Sequence, residues 1–387
     1  MSISIFYEEI KDEIISIRRK IHSRPELSFR EFETADTICS FLDKYKIRYK
    51  RNIAKTGICA YIGDITKGKT VVFRADMDAL EIEEKTGLDF ASEIKGIMHA
   101  CGHDIHVANA LGICYVLKRM EDRFQGCVKV IFQPAEEEEG GALPMIEEGV
   151  LEDGADLCLG MHISPLYETG TVYFKEGALM ASPDDFHIEF TGKSAHGAEP
   201  ENGINPIMAA SEFICGIHRE LSKEISFDEN VFTVCTINGG NAYNIIPDCT
   251  VISGTFRSFS QKDRICCEKI LDEYAKKVCS SYGAKHKLTY NYMYPPLINN
   301  PDECRKFKSF ALSILGSEKV KTFEKPLMTG EDFSYFAQKV PSVFIWAGCK
   351  KEGSDCRLHS SEFVVNEKVL DTGVKLFSEY IFEYLKQ

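Results

Sequence analysis

Acidic, histidine and cysteine residues gather in a few short segments of this sequence. Residues 133–145 read QPAEEEEGGALPM, and residues 98–109 read MHACGHDIHVAN. The second segment places five potential ligands within eight positions: His99, Cys101, His103, Asp104 and His106. Thiolate and imidazole favour zinc or a neighbouring transition ion over calcium or magnesium, and zinc, manganese, nickel and cobalt also accept carboxylates. The residue types therefore indicate a transition-metal site.

Similar residues lie at the ends of predicted strands. They are Asp76 and Asp78 after VVF, Glu136 to Glu139 after VKVIF, His162 after DLCLG, and His359 in the loop after SVFIWAG. Ligands of open α/β sheets bind at the carboxyl ends of the strands. Taken alone, a glutamate run is usually a solvated surface feature, and an aspartate after a strand is usually a cap or turn residue. Their occurrence at successive strand ends favours the metal site.

The number of candidate ligands bears on the chemistry. Five or so exceed the three protein ligands of one catalytic zinc, which indicates two ions sharing a bridging ligand or water about 3.5–4 Å apart. Hydrolysis is the expected reaction. A structural zinc site is disfavoured, because such sites usually have four closed Cys/His ligands and the sequence has no CxxC pair.

The elements that must position these residues follow from periodicity. Residues 1–180 show helical patterns near 5–23, 30–45 and 104–120, and a short helix from about 142 that Gly149 ends. They also show strands at CAYIG, TVVFRAD, VKVIF (128–132) and DLCLGM (156–161). Short β-branched runs separated by helices are typical of a mostly parallel sheet covered on both faces. We therefore predict an α/β domain.

The middle of the chain has a different pattern. Residues 181–294 read as strand, helix (206–221), two strands, helix (261–281) and strand, the βαββαβ order of a ferredoxin-like α+β unit. Residues 295–387 return to α/β character, with helices near 302–315, at DFSYFAQ and near 364–385, and a strand at 342–348. We predict one α/β domain in two sequence segments, interrupted by the smaller domain.

Composition excludes some partners. The net charge of −13, without a dense Lys/Arg block, argues against nucleic acid. No stretch approaches the roughly 18 apolar residues of a membrane span, and the N-terminus lacks the pattern of a signal peptide. The fifteen cysteines are odd in number and irregularly spaced, which favours reduced thiols. We expect a cytoplasmic protein that binds neither nucleic acid nor membrane.

A series of motifs, in order along nearly the whole chain, resembles the amidohydrolase branch of the M20 metallopeptidases. The motifs are RADMDAL (74–80), MHACGHDIHVANALG (98–112), FQPAEE (132–137), GMH (160–162), KSAHGAEPENGINPI (193–207), GGNAYNIIPD (239–248), GEDFSYF (330–336) and LHSSEF (358–363). The resemblance implies a zinc-peptidase-like catalytic domain, an inserted lid and dimerisation domain, and a homodimer. It also implies hydrolysis of N-acyl amino acids, small molecules that release an amino acid and a carboxylate.

The resemblance also implies individual roles. Cys101, His103, Glu137, His162 and His359 match the ligands of two divalent ions, with Cys101 as the bridge. Glu136 matches the general base and Asp76 fits an orienting role, although a structural cap is the simpler interpretation of Asp76. His196 matches a lid histidine that binds the developing oxyanion, reaching in from a partner subunit. Asn244 and Arg257 resemble lid residues that hold the substrate carboxylate.

Three alternatives bear on this assignment. Glu138 and Glu139 stand where the family usually has small residues after the glutamate pair; they are either extra ligands or a cap for the following helix, and we interpret them as a cap. A dipeptidase or metallo-carboxypeptidase would use the same two-metal machinery on a peptide bond. A binding module that has lost catalysis would lack the base or a ligand, and the sequence has both.

Overall fold

The computed structural model describes residues 3–138 and 140–386, which form two compact units. The first unit contains the described residues up to Gly177, Ile298–Lys325, and the described residues from Asp332 onward. The second contains Ala178–Leu297 and Pro326–Glu331. The chain therefore begins the first unit, builds most of the second, and returns.

The elements follow in chain order. The strands are β1 (Arg48–Ile53), β2 (Gly57–Gly63), β3 (Thr70–Asp76), β4 (Cys127–Gln133), β5 (Leu157–Glu168), β6 (Val172–Phe174), β7 (Gly177–Met180), β8 (Ser182–Thr191), β9 (Ala195–His196), β10 (Val231–Gly239), β11 (Ile245–Ile246), β12 (Cys249–Ser258), β13 (Lys285–Asn291), β14 (Leu297–Asn299), β15 (Val320–Thr322) and β16 (Ser342–Lys350). The helices are α1 (Ile3–Ser23), α2 (Phe32–Lys44), α3 (His103–Lys118), α4 (Ala142–Glu147), α5 (Pro206–Leu221), α6 (Gln261–Tyr282), α7 (Pro301–Leu315), α8 (Ser334–Ala337) and α9 (Val369–Leu385).

An eight-stranded sheet forms the centre of the first unit, in the order β1-β2-β4-β3-β5-β16-β6-β15. The central pairs β4/β3, β3/β5 and β5/β16 are parallel, whereas β1/β2, β2/β4 and β16/β6 are antiparallel. Every residue of β3 and β4 is buried. Their near-continuous apolar sequences are those of strands covered on both faces. The predicted α/β class with a mostly parallel central sheet is confirmed.

The helices of the first unit pack through their apolar residues. In α1, Tyr7, Ile10, Ile14 and Ile21 recur at steps of three, four and seven residues and are buried. Residues 103–117 of α3 are buried on all sides, and α3 contacts α1, α9 and β3. The histidine-rich segment at the start of α3 is consequently held by packing around the whole helix.

The second unit is an α+β arrangement. Its main sheet has the order β10-β12-β8-β13 with all neighbours antiparallel, and with α5 and α6 it follows the chain order βαββαβ. In β8, Phe186, Ile188 and Phe190 are buried and alternate with more exposed residues. One face of this sheet therefore builds the core of the unit.

Two predicted helices are shorter in the structure. DFSYFAQ contains only the single turn of α8, and the closing helix begins at Val369 rather than near 364. The side chain of Asn366 accepts the amide of Lys368, so a turn precedes the helix. Among the described residues, no helix combines the length and apolar character needed to cross a membrane.

Candidate functional site

The strand register brings polar residues to one level of the sheet. Asp76 pairs with Gln133 between β3 and β4, and His162 pairs with Trp346 between β5 and β16. The predicted strand DLCLGM ends before His162, but β5 continues to Glu168 because its pairing with β16 continues past the histidine. His162 therefore projects from a strand and not from a loop.

The segment Cys101-Gly102-His103 depends on its glycine. Gly102 has φ 88° and is the N-cap of α3, so His103 is the first helical residue. A Cβ atom at Gly102 would lie 2.4 Å from Cδ1 of Ile163. Glycine accepts both the left-handed backbone and the close approach. The turn thereby presents Cys101 and His103 beside each other.

Five side chains from four segments converge next to this turn: Cys101, His103, Glu137, His162 and His359. Sγ of Cys101 is 3.3 Å from Nε2 of His162. Oε1 of Glu137 is 3.7 Å from Nε2 of His103, and its Oε2 is 3.4 Å from Nε2 of His359. These are the five residues that the sequence resemblance assigns as metal ligands, and the structure brings them together.

Hydrogen bonds leave lone pairs pointing into this cluster. Nδ1 of His103 lies 3.1 Å from Oδ1 of Asp78 and donates to it, while Nε2 of the same ring is buried without a hydrogen-bond partner among the described residues. Nδ1 of His162 donates to the carbonyl oxygen of Ile163 at 2.7 Å, which leaves its Nε2 facing Cys101. Oε1 of Glu137 is also buried, and no described residue forms a hydrogen bond with it. A bound cation would satisfy all of these atoms.

Electrostatics favour a positive charge at the same place. Burial alone would lower the pKa of His103, but the carboxylates of Asp76 and Asp78 raise it to about 10. Burial, with Glu137 and Glu136, raises the pKa of Cys101 well above its ordinary value. A thiolate at Cys101 therefore needs a cation beside it. The donor set fits transition-metal ions.

Asp76 does not orient one of these five residues by a direct hydrogen bond. Its Oδ1 accepts from Nδ1 of His106 at 2.5 Å, and Arg74 donates to its Oδ2 at 2.6 Å. Nε2 of His106 accepts the amide of Ile163, so both ring nitrogens of His106 are engaged. The orienting residue for His103 is instead Asp78. Spacing of two along an extended chain places both aspartates on one side, so the sequence contained the candidate without separating the roles.

The glutamates of the run 136–139 differ in solvent exposure. Glu136 is 8% exposed, and one of its carboxylate oxygens lies within 4.8 Å of ligand atoms of His103 and Glu137. Glu138 is exposed, whereas Glu139 lies outside the described residues. Oδ2 of Asp332 accepts the amide of Ala142 at the start of α4, and the favourable interaction of Glu138 with this helix end stays a prediction.

The loop carrying His359 is fixed by its backbone. His359 has φ 61°, an unfavourable value for a residue with a Cβ atom, and its amide donates to the carbonyl oxygen of Ala100. Its side chain is about half exposed. Hydrogen bonding to Glu137 raises the pKa of His359. This is the most solvent-accessible member of the five.

His196, Asn244 and Arg257 all lie in the second unit. His196 in β9 pairs with Ile245 in β11, and the amide of Gly197 donates to the carbonyl oxygen of Asn244 at 2.8 Å, so His196 and Asn244 are neighbours. Arg257 lies in β12, where its Nη1 atom is buried without a hydrogen-bond partner among the described residues.

Comparison with known proteins identifies the family. The model of peptidase family M20/M25/M40 matches residues 72–383. This chain belongs to that family. Thermostable carboxypeptidase 1 of Saccharolobus solfataricus is 39% identical over 94% of the chain and 93% of its own length. N-acetyl-L-cysteine deacetylase of Bacillus subtilis is 37% identical over 98% of the chain and 88% of its own length.

A solved structure agrees with this assignment. The YXEP protein of Bacillus subtilis, a dinuclear metal binding peptidase from the M20 family, is 32% identical and superimposes with a TM-score of 0.84, covering 98% of this chain and 99% of the other. Membership of the M20 family makes the protein a metal-dependent hydrolase of amide bonds.

Proposed function

We propose that the protein hydrolyses N-acyl amino acids to an amino acid and a carboxylate, using two divalent metal ions in the first unit. The convergence of five potential ligands next to the adjacent pair Glu136 and Glu137 carries this proposal. The similarity to an N-acetyl-L-cysteine deacetylase supports removal of an acyl group from an amino acid.

In this proposal Cys101, His103, Glu137, His162 and His359 hold two ions of zinc, manganese, nickel or cobalt, with Cys101 as the bridge. Such ions supply polarisation of the amide carbonyl and a lowered pKa of water. Support comes from the two buried Nε2 atoms and from the number of ligands, which exceeds that of a single catalytic zinc. The dinuclear metal binding of the similar YXEP protein agrees with two ions.

Glu136 acts as the general base and then as the general acid. It takes a proton from the attacking water and delivers that proton to the leaving amine nitrogen. Its neighbour Glu137 directs one carboxylate oxygen towards His103 and the other towards His359, so the two glutamates can divide metal binding from proton transfer. The amide of Glu137 donates to Oδ2 of Asp78 at 3.0 Å, and this hydrogen bond holds this part of the loop.

The second unit supplies residues for substrate binding. We propose that His196 stabilises the developing oxyanion, a contribution of about 2.7–4 kcal/mol for one donor in comparable sites. Asn244 and Arg257 hold the substrate carboxylate, for which a planar guanidinium suits bidentate pairing. Two observations support this assignment: Nη1 of Arg257 has no hydrogen-bond partner in the described part of the chain, and His196 is adjacent to Asn244.

The same unit is proposed to act as a lid and as the contact of a homodimer, so that His196 serves the neighbouring subunit. Large apolar side chains are exposed on it, including Ile237, Tyr243 and Ile245, which supports an interface. A cytoplasmic location and the domain limits at residues 180/181 and 294/295 stay predictions.

A second candidate function is that of a carboxypeptidase or dipeptidase. It is favoured by the 39% identity to thermostable carboxypeptidase 1. The two functions differ in the substrate, since a dipeptide has a free α-amino group that an N-acyl amino acid lacks.

A substrate panel tests the proposal. The purified protein, loaded in turn with zinc, manganese, nickel and cobalt, is assayed with N-acetyl and N-benzoyl amino acids, free dipeptides and N-acylated dipeptides. We expect release of amino acid from N-acyl amino acids, its loss with a chelator, and its return with metal. Turnover of dipeptides alone would replace this function with the second candidate, and no metal-dependent hydrolysis of any member would reject both.

A further inference from the structure

Glu31 is a carboxylate with no part in the reaction described above, although it is completely buried. Its Oε1 accepts the amides of Phe29 at 2.9 Å and of Ala135 at 3.0 Å. Its Oε2 accepts the hydroxyl of Thr56 at 2.6 Å. One side chain therefore joins three segments that are distant in the sequence.

Left-handed backbone is concentrated in the same three segments. Four non-glycine residues of these segments have positive φ: Phe29 (57°), Ala54 (47°), Lys55 (77°) and Ala135 (53°). Such values are unfavourable for residues with a Cβ atom, and they persist where the surrounding structure over-determines them. The hydrogen bonds to Glu31 supply that constraint at the meeting point of the segments.

A capping role does not account for Glu31. It occupies the N-cap position of α2, but its side chain makes no capping hydrogen bond. Glu26 receives the amides of Glu33 and Thr34 instead, at 3.0 and 2.8 Å. The carboxylate of Glu31 is thus left to bind Ala135, outside its own helix.

The bond to Ala135 bears directly on the proposed base. Ala135 precedes Glu136, and its left-handed turn sets the direction of the next residues. The turn is closed by the amide of Gly141, which donates to the carbonyl oxygen of Ala135 at 2.9 Å, and a Cβ atom at Gly141 would lie 1.9 Å from the carbonyl oxygen of Pro134. The amide of Ala135 is the point at which Glu31 fixes this turn.

We propose that Glu31 is a positioning residue for hydrolysis: by holding the amide of Ala135 it fixes the left-handed turn that aims Glu136 at the metal cluster. This inference rests on the proposed function of Glu136 as the base. Among the described residues, the hydrogen bonds of the Glu31 side chain go to Phe29, Thr56 and Ala135 and not to the five proposed ligands, so it acts through the backbone of residues 135 and 136.

The test compares Glu31→Gln with Glu26→Gln in the metal-loaded full chain. Gln at position 31 turns one of the two acceptor oxygens into an NH2 donor and removes the negative charge, which weakens the hydrogen bonds from the amides of Phe29 and Ala135 and loosens the turn. Gln at position 26 affects only the cap of α2. We expect Glu31→Gln to lower kcat by about 10- to 100-fold, at or below the roughly 10²- to 10⁴-fold contribution of a general acid–base residue because Glu136 is misaligned and not removed, at unchanged KM and metal content. We expect Glu26→Gln to leave kcat unchanged.

A rescue separates positioning from a general loss of structure. Adding Ala135→Gly to Glu31→Gln removes the steric penalty of positive φ, so we expect part of the lost kcat to return. Hydrogen exchange of the metal-free protein gives a readout without activity: exchange of peptide 133–141 should be faster in Glu31→Gln and unchanged in Glu26→Gln. If Glu31→Gln does not fold, Glu31→Asp, which withdraws the carboxylate by one methylene, should show the same effects at smaller size.

The outcomes are distinguishable. Equal kcat for the two glutamate variants, absence of rescue, or unchanged exchange at 133–141 would overturn the role of Glu31. Glu136→Gln is measured in the same series: if it stays active, the proposed base is wrong whatever the Glu31 variants do. If Glu136→Gln is inactive while Glu31→Gln behaves as Glu26→Gln does, only the positioning role of Glu31 is rejected.

Discussion

Nδ1 of His103 lies 3.1 Å from Oδ1 of Asp78, and Nε2 on the other side of the same ring has no hydrogen-bond partner among the described residues. The carboxylate thus fixes both the tautomer and the direction of the imidazole, which leaves a lone pair for a metal ion. Oδ2 of Asp78 also accepts the amide of Glu137 and the hydroxyl of Ser28. Two proposed ligands therefore depend on one aspartate.

Replacing Asp78 with Ala should weaken metal binding by about 10- to 100-fold, as is typical when the partner of a metal-binding histidine is lost. The measurement is a titration against a chelating dye. Asp122→Ala, at an exposed position, is the control and should bind metal as the wild type does. Equal affinities for the two variants would show that Asp78 does not prepare the site.

Arg74 is the buried partner of two carboxylates. It donates to Asp76 at 2.6 Å and to Asp332 at 2.5 Å, and all three side chains are buried. Arg74→Leu should destabilise the metal-free protein by about 3–5 kcal/mol, because it leaves buried charges uncompensated. Denaturant unfolding measures this. Arg305→Leu, which removes an exposed pair with Glu176, should cost at most about 1 kcal/mol; a similarly small cost for Arg74→Leu would contradict the network.

Glu137 and Glu138 are adjacent but differ in what they contact. Glu138→Ala should keep the metal content and most of the activity, because its side chain is exposed. Glu137→Ala should lose at least one metal ion, because both carboxylate oxygens face histidines of the cluster. Metal analysis after desalting, with an activity assay, checks both. Loss of metal in Glu138→Ala would show that Glu138 also binds metal and that our assignment of the two glutamates is wrong.

Glu31 makes stability depend on pH. Burial, reinforced by the charge of Asp78, raises the pKa of Glu31 to about 7 from an ordinary value of 4.5. The folded state therefore binds the proton more tightly than the unfolded state, so this contribution is fully present below pH about 4.5 and is lost as the pH rises through about 7. At about 1.4 kcal/mol for each pKa unit, the loss is on the order of 3 kcal/mol.

A comparison with Glu31→Gln isolates that contribution, since glutamine does not titrate. The free energy of unfolding of the metal-free wild type, minus that of Glu31→Gln, should decrease between pH 5 and pH 8. Guanidinium unfolding at four pH values measures the difference. A difference that does not decrease over this range would show that the pKa of Glu31 is not raised in the folded protein.

Residue types predicted a metal site at this edge of the sheet, whereas the particular set Cys101, His103, Glu137, His162 and His359 was predicted only by the resemblance to the M20 family. The separate roles of Asp76 and Asp78 were not predictable, since they depend on which histidine ring each carboxylate meets. His162 was placed after a strand because the apolar run ends at Met161, whereas cross-strand pairing with Trp346 continues the strand.

Glu31 illustrates a contact that sequence patterns do not predict. The predicted helix near 30–45 includes this position without singling it out, and only the folded chain brings Glu31 to Ala135, 104 residues away. Positive φ at Ala135 and His359 was equally hidden, because alanine and histidine ordinarily avoid that region. Contacts between distant segments decide both features.

Glu136→Gln separates proton transfer, which we assign to Glu136, from metal binding, which we assign to the five proposed ligands. The variant and the wild type are loaded with the same metal, analysed for metal content, and assayed for kcat on the best N-acyl amino acid. We expect an unchanged content of two ions per chain and a kcat lowered by about 10²- to 10⁴-fold. Retained turnover, or loss of metal together with turnover, would contradict it.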